Sequence, residues 1–283
     1  MPIFSTPTPI DLAIDLQVGA IEVIASDRAD TVVSVTATNP AKSTDRRGVD
    51  ETKVDFDGAR LTITGPRARL NWIGPNQNDS VDVTIELPAG SRLTAEISVG
   101  GVRTTGRLGA TRVKNSMGPV DLDTVGDLWV RAGHGNVALK NAAGAIEVTA
   151  DHGQIRLGEV AGDAALKASH GSIQIAETGG DVDAKLSYGD IDITRALASV
   201  TAKTAYGSIE LREVSSGSVD VQSGYGQVTI GVKPGVAAWL DLSSKDGHVR
   251  NELDGESAPD ESEQTVAVRA RNRSGNISIQ RAR

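Results

Sequence analysis

The sequence predicts an all-β solenoid of 18-residue repeats, two short strands to each, wound as a parallel β-helix. Three observations carry this. First, a glycine followed by x-[Ile/Val]-x-[apolar] recurs at Gly135, Gly153, Gly171, Gly189, Gly207 and Gly226, with spacings of 18 and finally 19 residues. Second, a separate alternating segment keeps the same period: Ile146-Glu-Val148, Ala164 to Ala168, Val182 to Leu186, Val200-Thr-Ala202 and Val219-Asp-Val221. Alternation places successive side chains on opposite faces of a strand. Third, no window combines a 3.6-residue apolar period with helix caps. Repeats of fixed short period are the mark of architectures whose units share one core.

Along the chain, Leu12, Ile14, Leu16, Gly19, Ile21 and Val23 fit one repeat, and residues 25–88 break the period. Within the break, Val33 and Val35 mark a strand, residues 53–57 and 60–64 flank an Asp-Gly turn, and residues 81–87 form another strand. Residues 66–80, with Pro66, Trp72, Pro75, Asn76 and Asn78, read as a loop. Upstream copies of the motif start at Gly118 and, more weakly, at Gly101, so that about eight contiguous repeats lie between Gly90 and Gly231. Leu240, Leu242, Gly247 and Val249 continue the register after a short insertion. An acidic loop follows at 252–263, and Val266, Val268, Gly275, Ile277 and Ile279 supply a last strand pair. The organisation expected is an N-terminal β cap region, 1–88, continuous with a solenoid repeat domain, 89–283, that ends in capping strands.

A single repeat offers about five apolar side chains, mostly small, too few to offset the ordering of its own backbone. Neighbouring repeats must therefore share core and hydrogen-bond ladder. An antiparallel β meander or sandwich also accommodates two strands per repeat. The β-helix is preferred because residue types repeat at 18-residue steps, which a meander would not reward. The column Arg131, Thr149, Lys167, Lys185, Lys203 counts the other way, since like charges directly opposite repel.

Composition narrows the function. The 283 residues hold no cysteine, which excludes disulfides, thiolate metal sites and a cysteine nucleophile. A net charge of −8 with interspersed signs gives nucleic acid no general attraction. No apolar run is long enough for a membrane span and the N-terminus lacks a secretory pattern, so a cytoplasmic protein without membrane insertion is expected. The P-loop, the Gly-x-Ser-x-Gly elbow and the calcium nonapeptide are missing. No catalytic residue, metal or cofactor is assigned.

The residue before each motif glycine is the most unusual feature. It reads His134, His152, His170, Tyr188, Tyr206, Tyr225, and takes three of four histidines and every tyrosine. As a site, this column is a strip for a sugar ring, a base or a partner side chain. As structure, it is a ladder whose rings stack on one another. A third reading places a metal between the imidazoles near Asp151, but no local ligand motif supports it. The Lys/Arg column could take an anion. With Asp183 and Asp220 beside it, it reads rather as a salt-bridged solvated face. Trp129, on the outward parity of its strand, marks a contact surface, and Trp239 stands near the other end of the regular repeats. Asn78-Asp-Ser80 and Asn272-Arg-Ser274 have the form of glycosylation tripeptides.

Several segments are specific: Phe4-Ser-Thr-Pro-Thr-Pro-Ile10, the stretch from Ala25 to Val32, Val81 to Ser91, Ala237-Ala-Trp-Leu-Asp-Leu242, and Val249-Arg-Asn-Glu-Leu253. With the glycine repeats, they resemble the bacterial β-strand-repeat proteins of unknown function that carry an adhesin label, in particular short, soluble actinobacterial members. The resemblance implies an all-β, solenoid-like fold and supplies no catalytic residues. The function expected is a non-enzymatic scaffold or binding module, adhesin-like, for a protein or a glycan. The alternative is a carbohydrate-active enzyme of the parallel β-helix type, against which the short central turns and few aromatics argue. The irregular N-terminal region and the acidic C-terminal loop oppose open polymerisation, so a monomer or closed dimer is expected.

Overall fold

The computed structural model describes residues 2–66, 79–253 and 265–282. Most of the two expected loops, 66–80 and 252–263, and Asn78 with them, lie outside those residues. The described chain is all-β apart from one helix, and its repeats pair in parallel, as a β-helix requires and a meander does not. It divides into two compact units, Met1–Leu139 and Lys140–Arg283. No helix of the described residues is long and apolar enough to cross a membrane.

In the second unit each regular coil, over residues 146–214, consists of a seven-residue strand, a glycine corner, a six-residue strand and a turn. Ala164–His170 and Ile173–Thr178 form one coil, and Val182–Tyr188 and Ile191–Ala196 the next. Strands stack in parallel with a register step of 18: Leu166 opposite Ala184, Ile173 opposite Ile191. The two inner faces differ in bulk. Ala164, Ala184 and Ala202 from the longer strands meet Ile173, Ile191 and Ile209 from the shorter ones, all at most 3% exposed. Small against large lets two short faces fill one narrow core.

Why glycine recurs at the corner follows from contact as well as conformation. Gly189 has φ +132°, and a Cβ built there would lie 1.6 Å from the Gly171 carbonyl oxygen one coil away. The corner amides keep the inter-coil ladder unbroken: Gly171 N–H donates to Tyr188 C=O at 3.1 Å and Gly189 N–H to Tyr206 C=O at 2.7 Å. At the opposite turn backbone bonds continue, as from Leu197 N–H to Thr178 C=O at 3.0 Å, and side chains add to them, with Asp181 N–H donating to the Asp163 carboxylate and Ser199 N–H to that of Asp181. Backbone donors that leave the strands are thereby satisfied.

Coil order departs from chain order at the C-terminal end. The last strands, Thr265–Ser274 and Ile277–Arg281, pair with Gly217–Tyr225 and Val228–Val232 on one side. On the other they pair with Ala237–Asp246 and Val249–Asn251. The final coil is thus inserted, and the coil that precedes it in sequence is the outermost. This corrects the sequential order expected from the motif alone: a coil carries the same pattern whichever neighbour it stacks on.

The first unit shows the same arrangement. The strand Asp11–Ser26 pairs with Arg92–Thr105 on one side and with both Arg60–Thr64 and Val81–Pro88 on the other. The strands expected within residues 25–88 are therefore present, with Lys53–Phe56 antiparallel to Arg60–Thr64 and Asp30–Ala37 antiparallel to Val81–Pro88. Two expectations need correction. The corner glycine of the weak upstream repeat is Gly100 (φ +142°) rather than Gly101. A helix, Ser43–Glu51, stands where no helical signal was read. It has no side-chain N-cap, and its buried residues are Asp45 and Gly48 rather than an apolar stripe. Tertiary contacts hold it: the Asp45 carboxylate accepts from the Asn39 and Ser80 amides.

Candidate functional site

The corner residues of the second unit form an ordered ladder. His152, His170, Tyr188, Tyr206 and Tyr225 stack ring on ring, with centroids 4.8–5.0 Å apart and planes within 6° of parallel. The spacing is that of the strands, about 4.8 Å, because the corner backbone bonds fix each ring-bearing residue over the next. His152 lies opposite His170, His170 opposite Tyr188, and Tyr206 opposite Tyr225. Tyr225 is also overlain by the Arg273 guanidinium, 5.9 Å from its centroid.

The rings remain exposed at their edges, Tyr188 by 49% and Tyr225 by 43%. Their faces are turned to one another, so the row offers edges and phenol hydroxyls rather than broad flat surfaces. Parallel stacking holds the imidazole nitrogens of His152 and His170 in separate planes. Among the described residues no three His, Asp or Glu side chains gather around a common point that could hold a metal. His134 belongs to the first unit, where it lies opposite Met117, and Met117 lies opposite Val99. There the same position in the coil carries exposed apolar residues, Val99 at 42% and Met117 at 53%.

Next to the ring row runs a groove that the sequence reading missed. It has a volume of about 720 Å³ and crosses five coils. One side is the column Thr149, Lys167, Lys185, Lys203, Gln222. Its floor is the row of small residues just before the rings, including Ser169, Ser187, Ala205 and Gly224. That row was readable as a run of short side chains at 18-residue steps, but a run of serine, alanine and glycine carries no chemical signature until flanking columns rise above it.

The expected salt-bridged character of the lysine column is only partly realised. Lys185 Nζ lies 2.7 Å from the Asp183 carboxylate. Lys167 and Lys203, directly above and below it in register, have no carboxylate partner among the described residues. Asp220 instead accepts from Gln222 at 3.3 Å.

Other candidates resolve differently. Trp129 is half-buried, with the Arg112 guanidinium 3.6 Å above its ring, so it is a covered ring rather than a bare contact surface. Trp239 is 60% exposed. Asn272 is only 5% exposed and donates to the Gly226 carbonyl at 2.7 Å, which removes it as a glycosylation acceptor in the folded protein.

A parallel β-helical repeat protein with an outward ring ladder beside a basic groove is the class these features define. The Toastrack DUF4097 family model matches residues 11–280, and the chain belongs to that family. No curated protein matches it. Among solved structures, it is similar to a putative cell adhesion protein from Clostridium sporogenes, at 12% identity over 99% of this chain and 98% of that one, TM-score 0.25. It is also similar to two proteins from Parabacteroides distasonis. One is described as a putative adhesin, at 14% identity, coverage 98% and 95%, TM-score 0.40. The other is described as a putative lipid binding protein, at 14% identity with the same coverage, TM-score 0.33.

Proposed function

We propose that this protein is a non-enzymatic binding module and that the corner bearing His152, His170, Tyr188, Tyr206 and Tyr225 is its recognition surface. The observation that carries the reading is the outward placement of every tyrosine of the chain in one register. The core is otherwise built from aliphatic residues, and exposed rings held in a fixed row are costly to keep unless something meets them. Stacked rings lose little further freedom on binding, which favours recognition by their edges and hydroxyls. An adhesin-like role toward a protein or a glycan is part of the same proposal, and in unit one His134 occupies the equivalent position.

Affinity capture with the native protein and with a variant carrying Ser at all six positions tests it. A partner retained by the native protein and lost by the folded variant is the expected result. Equal capture by both would make the row a structural brace and place recognition elsewhere.

A further inference from the structure

We infer that the groove beside the ring row binds an extended acidic polysaccharide, with uronate carboxylates against Lys167, Lys185 and Lys203. This rests on reading the unit as a binding module but uses a different surface from the rings. The three lysines are in register on consecutive coils, which sets their backbones about 4.8 Å apart. Such stacking of like charges is unfavourable in the free protein, and only the middle one has a carboxylate against it. An anion with repeated charge relieves that repulsion.

The groove extends over four steps between coils, about 19 Å, long enough for several sugar residues lying along the stack. Its floor offers hydroxyls. The hydroxyls of Ser169 and Ser187 make no hydrogen bond within the described residues, and both residues line the groove. Unengaged hydroxyls beneath a row of ammonium groups match a ligand that alternates hydroxyl and carboxylate. A nucleic acid is disfavoured because its bases would need free aromatic faces, and the faces of this row are occupied by one another.

Carboxylates set the limits of the site. Asp151 stands at one end of the groove. Glu147, Asp183 and Asp220 form part of the column beyond the lysines. Asp183 is the direct competitor, and its second oxygen is buried without a hydrogen-bond partner.

The test uses the full chain and three probes: polygalacturonate oligomers, the same oligomers fully methyl-esterified, and a single-stranded DNA of equal charge. Binding is read by calorimetry at low and high salt. The native protein should bind polygalacturonate, with affinity falling as salt rises. The ester and the DNA should bind clearly less. The triple change Lys167→Gln, Lys185→Gln, Lys203→Gln should weaken polygalacturonate binding about tenfold with a melting temperature no lower than the native one, since it also removes the repulsion between the stacked ammonium groups. Asp183→Asn should strengthen it about twofold. The inference is overturned if the native protein does not bind polygalacturonate, if ester or DNA binds as tightly, or if the triple variant binds as the native does. These outcomes separate from the ring-row reading. Loss of a captured partner in the six-serine variant, with no uronate binding by the native protein, removes only the groove. Uronate binding lost in the lysine variant, with capture unaffected by the six serines, removes only the ring row.

Discussion

The two ends of the chain solve the same problem with unequal thoroughness. At each, the terminal coil in sequence is the second coil in space, clamped beneath a neighbour. In the first unit the outer coil is itself covered. Antiparallel strands lie on both of its segments, and Val33, Leu61, Ile63 and Ile85 are fully buried. In the second unit the outer coil has no such cover among the described residues. Leu240 and Leu242 are half-exposed, Trp239 and Val249 more so. The antiparallel strands take up the hydrogen-bonding edge of the outer coil and so withhold it from a further coil. The difference shows that inserting the terminus and sealing the edge are separate devices. Only the first is common to both ends.

Truncating the core breaks the comparison most strongly. Leu16, 1% exposed in the inserted first coil, should cost about 2–5 kcal/mol when changed to Ala. Leu242→Ala in the open outer coil should cost about 1 kcal/mol or less. Urea unfolding of both variants checks this, and equal losses would mean that the outer coil is sealed in solution. Hydrogen exchange sharpens the contrast within the second unit. Amides of Thr265–Ser274 should be better protected than those of Ala237–Asp246, although the former lie nearer the chain terminus.

The smallest effect is electrostatic and common to both ends. Hydrogen bonding to Arg28 holds the Asp30 carboxyl below its ordinary range, and hydrogen bonding to Arg271 does the same for Asp241. A depressed folded-state pKa contributes stability that is full above the ordinary carboxylate pKa and is lost as pH falls through the depressed value. Both groups are reached by solvent, so the effect is modest and screened by salt. Asp241→Asn should flatten the acid limb of a stability–pH profile, and a profile unchanged from native would remove the pair from the account.

The periodic elements were legible because they obey one local rule. Alternation fixes which face is buried, and the corner glycine fixes where the chain turns, so Ile173 and Gly189 could be placed from sequence. The ring column was legible for the same reason, as a fixed offset from that glycine. Coil order was not legible, since Val268 and Ile277 carry the same pattern whether their neighbour is residue 219 or residue 240. Nor was the helix Ser43–Glu51, whose position depends on Asp45 receiving amides from segments distant in sequence. The groove required knowing that the positions of Ser169 and Ser187 face outward between two taller columns.

The insertion of the last coil has a consequence for biosynthesis. A ribosome releases Ala237–Asp246 before Thr265–Ser274, the segment that lies between it and Gly217–Tyr225 in the fold. The outer coil therefore lacks its native neighbour until the final segment has emerged. A message cut short before residue 265 therefore removes an inner layer rather than the outermost, leaving a product whose remaining end coil has lost its seat.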